Sequence, residues 1–110
     1  MIQDTIQKIE ARLQSAENLG AEARGELTEL LAELKTEVSE ISDSHADQAQ
    51  SIAGFADLST HEAVREGTNQ KALDHSLGGL QSSVEELEQS HPGLVSVVNR
   101  ICTALSNLGI

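Results

Sequence analysis

Apolar residues recur along this chain at alternating intervals of four and three, in four successive stretches. Ile2, Ile6, Ile9, Leu13 and Ala16 form the first. That spacing returns to one side of a 3.6-residue helix, so it predicts an amphipathic helix over about residues 2–18. Asp4 suits the positive end of such a helix, and Lys8 and Arg12 follow further along. Gly20 is placed to stop it in a left-handed conformation. In the second stretch Leu27, Leu31, Leu34, Val38 and Ile41 repeat the pattern, and the register runs on through His45, Gln48, Ile52 and Phe55. One helix over about residues 22–54 is expected, roughly 50 Å long at 1.5 Å per residue.

A turn is predicted between Gly54 and Thr60. Ser59 with Glu62 three residues on makes a capping box for a third helix, over about residues 60–90. Its seam is Leu73, Leu77, Leu80, Val84 and Leu87, while Gly67 and the Gly78-Gly79 pair lower its helicity or mark a close helix approach. Pro92 ends that helix and opens a fourth, with the seam Leu94, Val98, Ile101, Leu105 and Leu108. Gly109 is a natural residue to follow it, with Ile110 beyond.

These elements predict an all-α fold, an antiparallel helical bundle built on a long helical hairpin with coiled-coil-like heptad seams. Short connections favour antiparallel neighbours. A single domain over residues 1–110 is expected, with its bundle end at about 1–41 and 74–110. A two-helix arm over about residues 42–73 is expected to project from it. The seam turns polar along that arm at His45, Gln48, Glu66 and Gln70, then apolar at its tip. The tip residues Ile52, Phe55 and Leu58 are the candidate interaction site, because exposed apolar clusters mark binding surfaces.

Composition narrows the function. Hydrophobic residues make up 38% of the chain and Phe55 is its one aromatic, which suits narrow aliphatic seams. The formal net charge is −11. Phosphate binding needs Lys and Arg, so this charge argues against nucleic acid and against anionic membranes. Absent Trp and Tyr remove stacking platforms for single strands. Glu22, Glu26, Glu29, Glu33, Glu37 and Glu40 read as a solvated face, or as a docking surface for a basic protein. No apolar run approaches the roughly 18–20 residues of a membrane span, and no signal peptide is evident, so a cytoplasmic location is expected.

Candidate chemistry is sparse. Glu88-Gln89-Ser90-His91 has the Glu-x-x-His spacing of di-iron bundles, but Ser42, Leu58 and Ala72 stand where second glutamates would pair with the other histidines. His91 therefore reads as a capping residue. His61-Glu62 begins a zinc-protease motif, yet Arg65 replaces the second ligand. His45 lies on a seam and reads as a buried or register-setting polar residue, with pH-sensitive packing as the alternative, and His75 reads as solvated. Cys102 is the only cysteine, so it forms no internal disulfide and reads as a small buried residue. No phosphate loop, nucleophile elbow or Cys-x-x-Cys pair occurs. The expectation is a protein that is not an enzyme and uses no cofactor and no metal.

Glu88-Gln89-Ser90-His91-Pro92-Gly93-Leu94, with Leu105, Leu108 and Gly109-Ile110, resembles the ending of a family of small uncharacterised bacterial proteins, a domain of unknown function. Leu27 to Val38 resembles that family's N-terminal half less specifically. About residues 43–72 depart from it and look like an insertion. The resemblance implies a helical, cytoplasmic bacterial protein and supplies no catalytic residues. The expected role is a structural or interaction protein that self-associates as a homodimer or higher homo-oligomer. The alternatives are an adaptor or chaperone-like module binding a protein partner through the arm tip or acidic face, and a bundle holding metal through Glu88 and His91 in a symmetric oligomer.

Overall fold

The computed structural model describes residues 2–108. It contains five α-helices: α1 (Ile2–Ser15), α2 (Ala21–Ile41), α3 (Ala46–Val64), α4 (Gln70–Val84) and α5 (Pro92–Leu108). A single 3₁₀ turn, Glu85–Leu87, extends α4. No strand occurs among the described residues, so the fold is all-α. The predicted C-terminal stop at Gly109 and Ile110 lies outside the described residues.

Two expected long helices each break in the middle. The first breaks after Ile41, where Ser42, Asp43 and Ser44 offer side chains that compete with helical hydrogen bonding. The Ser42 hydroxyl donates to the Ser39 carbonyl at 3.0 Å, and the His45 amide donates to the Ile41 carbonyl at 2.7 Å. The second break follows Val64. Gly67 takes φ +67, a left-handed conformation that glycine adopts without strain. Asn69 then caps α4, its side chain accepting from the Ala72 amide at 3.0 Å. The predicted capping box fails for the same reason: Ser59 is buried within α3.

The projecting arm is therefore corrected. α3 folds back between α1 and α4 instead of extending α2. The Cα radius of gyration is 12.9 Å, close to the roughly 13 Å of a compact chain of about 100 residues. The longest extent is 37 Å, shorter than the expected hairpin. Gly20 differs as well: at φ −66 and ψ 156 it is extended, and it caps α2. Arg24 closes the end of α1, its guanidinium donating to the carbonyls of Leu13, Gln14, Ala16 and Leu19. The Leu13 and Gln14 carbonyls are end acceptors of α1, and those of Ala16 and Leu19 belong to the connection to α2.

The core is aliphatic and shared by every helix. Ile6, Ile9, Leu34, Ile41, Ile52, Leu73, Leu80, Leu94 and Leu105 are its largest fully buried side chains. Each contributes about 1.5–3 kcal/mol through burial.

Two hairpins of the same design make up most of this core. The buried residues of α2 are Leu27, Leu30, Leu31, Leu34, Val38 and Ile41. Those of α4 and its 3₁₀ turn are Leu73, Ser76, Leu77, Leu80, Val84 and Leu87, each 46 positions later. Ser44-His45 precedes α3 and Ser90-His91 precedes α5 at the same offset. Each histidine amide donates to the residue four back, Ile41 or Leu87, at 2.7 Å. Packing follows a twofold relation: α2 lies against α5 as α4 lies against α3, and the His45 ring meets the His91 ring. α1 breaks this relation, because it packs on α2 and α3 alone. No helix among the described residues is long and apolar enough to cross a membrane.

Candidate interaction surface

α3 is built from small residues, and its buried side is Ala49, Ile52, Ala53, Ala56, Ser59, Thr60 and Ala63. The equivalent helix α5 buries Leu94, Val97, Val98, Ile101, Cys102, Ala104 and Leu105. Three repeat positions are common to both: Ile52 with Val98, Ala56 with Cys102, and Ser59 with Leu105. The rest differ. Ile101 and Ala104 are buried, while Phe55 and Leu58 at the same repeat positions are 36% and 45% exposed.

α1 supplies the physical cause. Its Ile9 and Leu13 share an apolar crevice with Ala56 and Thr60 of α3 and with Leu27, Leu31 and Leu34 of α2. A polar cluster fixes it there. Arg12 Nε donates to Asp57 Oδ1 at 2.8 Å, and Lys8 Nζ lies 3.9 Å from Asp57 Oδ2. Arg12 Nη1 is 3.2 Å from His61 Nδ1; a guanidinium only donates, so this histidine nitrogen accepts. Docking α1 draws the Ala53–Thr60 side of α3 into the core and leaves the Phe55–Leu58 side in solvent.

The Phe55 ring rests on Gly79 of α4. A methyl group at Gly79 would come within 3.0 Å of three ring atoms, so only glycine admits the ring in this position. Gly78 faces open space, and the close approach anticipated for the glycine pair therefore belongs to Gly79. A groove of about 390 Å³ runs beside the ring between α3 and α4. Ser51 and Ser82 line it, with Asp47 and Glu86 adding carboxylates.

The three candidate residues thus separate. Phe55 and Leu58 share the exposed side of α3, whereas Ile52 is fully buried, a correction to its expected place at a tip. Steps of about 100° per residue put Ile52 and Leu58 roughly 120° apart on a helix, so one patch cannot hold both.

Other expectations fall as follows. Glu22, Glu26, Glu29, Glu33 and Glu40 are exposed on α2, and Glu33 pairs with Arg100 of α5 at 2.8 Å. Cys102 is buried, its Sγ 4.0 Å from the Leu77 carbonyl. Burial pushes its thiol up to about 11, which suppresses the thiolate that nucleophilic chemistry needs. His75 is exposed. Among the described residues no three of His, Cys, Asp and Glu gather in a metal-holding group. The Arg12–Asp57–His61 cluster was not foreseen, since nothing local in the sequence joins α1 to α3. The Ser-His repeat was readable in the sequence, through two identical dipeptides behind two matching leucine seams.

A family model described as Domain of unknown function (DUF4404) matches residues 27–110. The matched span runs through residues 43–72, which looked like an insertion, and leaves α1 outside. Neither a curated protein nor a solved structure matches the chain.

Proposed function

The chain belongs to this family of unknown function, and we propose that it is a non-catalytic module that docks another protein on the α3–α4 face. One observation carries the reading: Phe55 and Leu58 are exposed where the other repeat buries Ile101 and Ala104. The occupant this face fits is an amphipathic helix with an apolar stripe for Phe55 and Leu58 and basic flanks for Asp47 and Glu86. Charge complementarity selects it, because a net charge of −11 attracts a basic segment and repels a second copy. Within this chain all five helices contribute to one core.

The test is a titration of ¹⁵N-labelled protein with a helical Leu/Lys peptide and its Leu/Glu counterpart. The Leu/Lys peptide should give saturable shifts over residues 47–58 and 79–86, and Phe55→Asp or Leu58→Asp should weaken binding about tenfold. Shifts confined to the α2 glutamates and unchanged in both variants would remove the proposal. Light scattering should show a monomer at micromolar concentration. A dimer abolished by Phe55→Asp would assign the face to a second copy instead.

A further inference from the structure

α1 shows how a helix sits on the first hairpin. Leu31, Ala56 and Thr60 share a crevice with its Ile9 and Leu13, while Asp57 and His61 hold its Arg12. The second hairpin repeats this frame without a helix on it. The residues 46 positions after those five are Leu77, Cys102, Ser106, Thr103 and Asn107. All five line one groove of about 380 Å³ between α4 and α5. The repeat relation and the shape of the surface therefore pick out the same place independently. Two equivalent seats exist in the molecule, and α1 fills one of them.

We propose that the α4–α5 groove is a second helix seat, which takes an amphipathic helix of a partner protein. α1 supplies the pattern such a helix needs, an apolar stripe spaced as Ile6, Ile9 and Leu13. Leu77 and Cys102 form the apolar floor. The two seats differ in charge. The anchors Asp57 and His61 become the neutral Thr103 and Asn107, whereas Thr28 of α2 becomes Asp74 of α4. A basic residue on the incoming helix therefore meets α4 rather than α5. Gly78 lies on the same wall, and a Cβ there would meet nothing within 4 Å, so a helix can come close to the α4 backbone. A second copy of the chain does not suit the seat. Its own α1 stripe is already buried, and each copy carries a net charge of −11. The groove shares no lining residue with the α3–α4 groove, so this seat stands or falls separately from that face.

The test is a titration of ¹⁵N-labelled full-length protein with a 14-residue helical peptide that keeps the α1 sequence but carries lysine in place of Asp4 and Glu10. Saturable shifts over residues 74–81 and 102–107 are expected in the wild-type chain. Gly78→Gln, which fills the groove, and Asp74→Lys, which reverses its charge, should each weaken binding at least tenfold. Both positions are exposed, so neither change disturbs the core. Ala32→Gln, the counterpart of Gly78→Gln on α2, should change nothing. Absence of saturable shifts, or affinity unchanged in both groove variants, would overturn the proposal. Shifts at Leu31, Ala56 and Asp57 would overturn it too, because they mean that the peptide replaces α1 in the first seat. Shifts confined to residues 47–58 and 79–86 would remove this seat and leave the α3–α4 face standing.

Discussion

The hairpins α2–α3 and α4–α5 share a seam, a Ser-His junction and an offset of 46 residues, yet they expose different surfaces. In the second, α5 buries a broad aliphatic side that includes Ile101 and Ala104. In the first, α3 buries mostly alanines and leaves Phe55 and Leu58 outside. α1, which packs on α2 and α3 and shares its crevice with Ile101, turns the alanine side of α3 inward. A repeated scaffold can therefore keep its first helix strictly and vary its second, and the varied helix is where a binding surface appears.

Core truncation tests the sameness of the repeats with the largest effect. Leu34→Ala and Leu80→Ala occupy equivalent, fully buried positions, and each should cost about 2–5 kcal/mol in urea unfolding. Similar losses in one cooperative transition are expected; two separate transitions would show that the hairpins fold independently. Arg24→Ala tests what makes the hairpins differ. It strips four carbonyl contacts from the end of α1 and its connection to α2 and should cost roughly 2 kcal/mol. Hydrogen exchange in that variant should quicken in α1 well before α5.

Gly79→Ala should be about 1 kcal/mol less favourable than Gly78→Ala, because its methyl group must displace the exposed Phe55 ring. Neighbouring Gly78→Ala should stabilise by about 0.5–1 kcal/mol, since its methyl group meets nothing and alanine favours helix. In a Phe55→Ala background the Gly79 penalty should vanish, and a double-mutant cycle measures that coupling. The smallest effect concerns Cys102. Its folded-state thiol is raised from 9.0 to about 11, so its contribution to stability is full below 9.0 and lost as pH rises through about 11. A Cys102→Ala variant should flatten that alkaline decline, and thiol reagents should label the native chain slowly at neutral pH.

Much of the helix content was legible because four-three spacing depends only on local sequence. The position of Pro92 located the start of α5 for the same reason. The break at residues 42–45 was hidden because the spacing from Ile41 to His45 to Gln48 stays in register across it. Gly67 was read as a weak point and is a full stop, a choice set by its left-handed backbone and by the Asn69 cap. The candidate surface was half legible. Phe55 and Leu58 stood out as apolar residues in a polar stretch, but which side of α3 stays outside depends on where α1 docks. That docking rests on Arg12, Asp57 and His61, which are far apart in sequence.

Phe55 is the only aromatic residue apart from the histidines, and it lies at the surface against Gly79. The core of this protein is therefore optically silent, with no Trp or Tyr to report unfolding or to quantify the chain by the usual absorbance. The phenylalanine ring resonances come from one residue at the mouth of the α3–α4 groove. The molecule carries a built-in reporter whose signal follows the occupation of that one face, free of overlap from any other ring of its type.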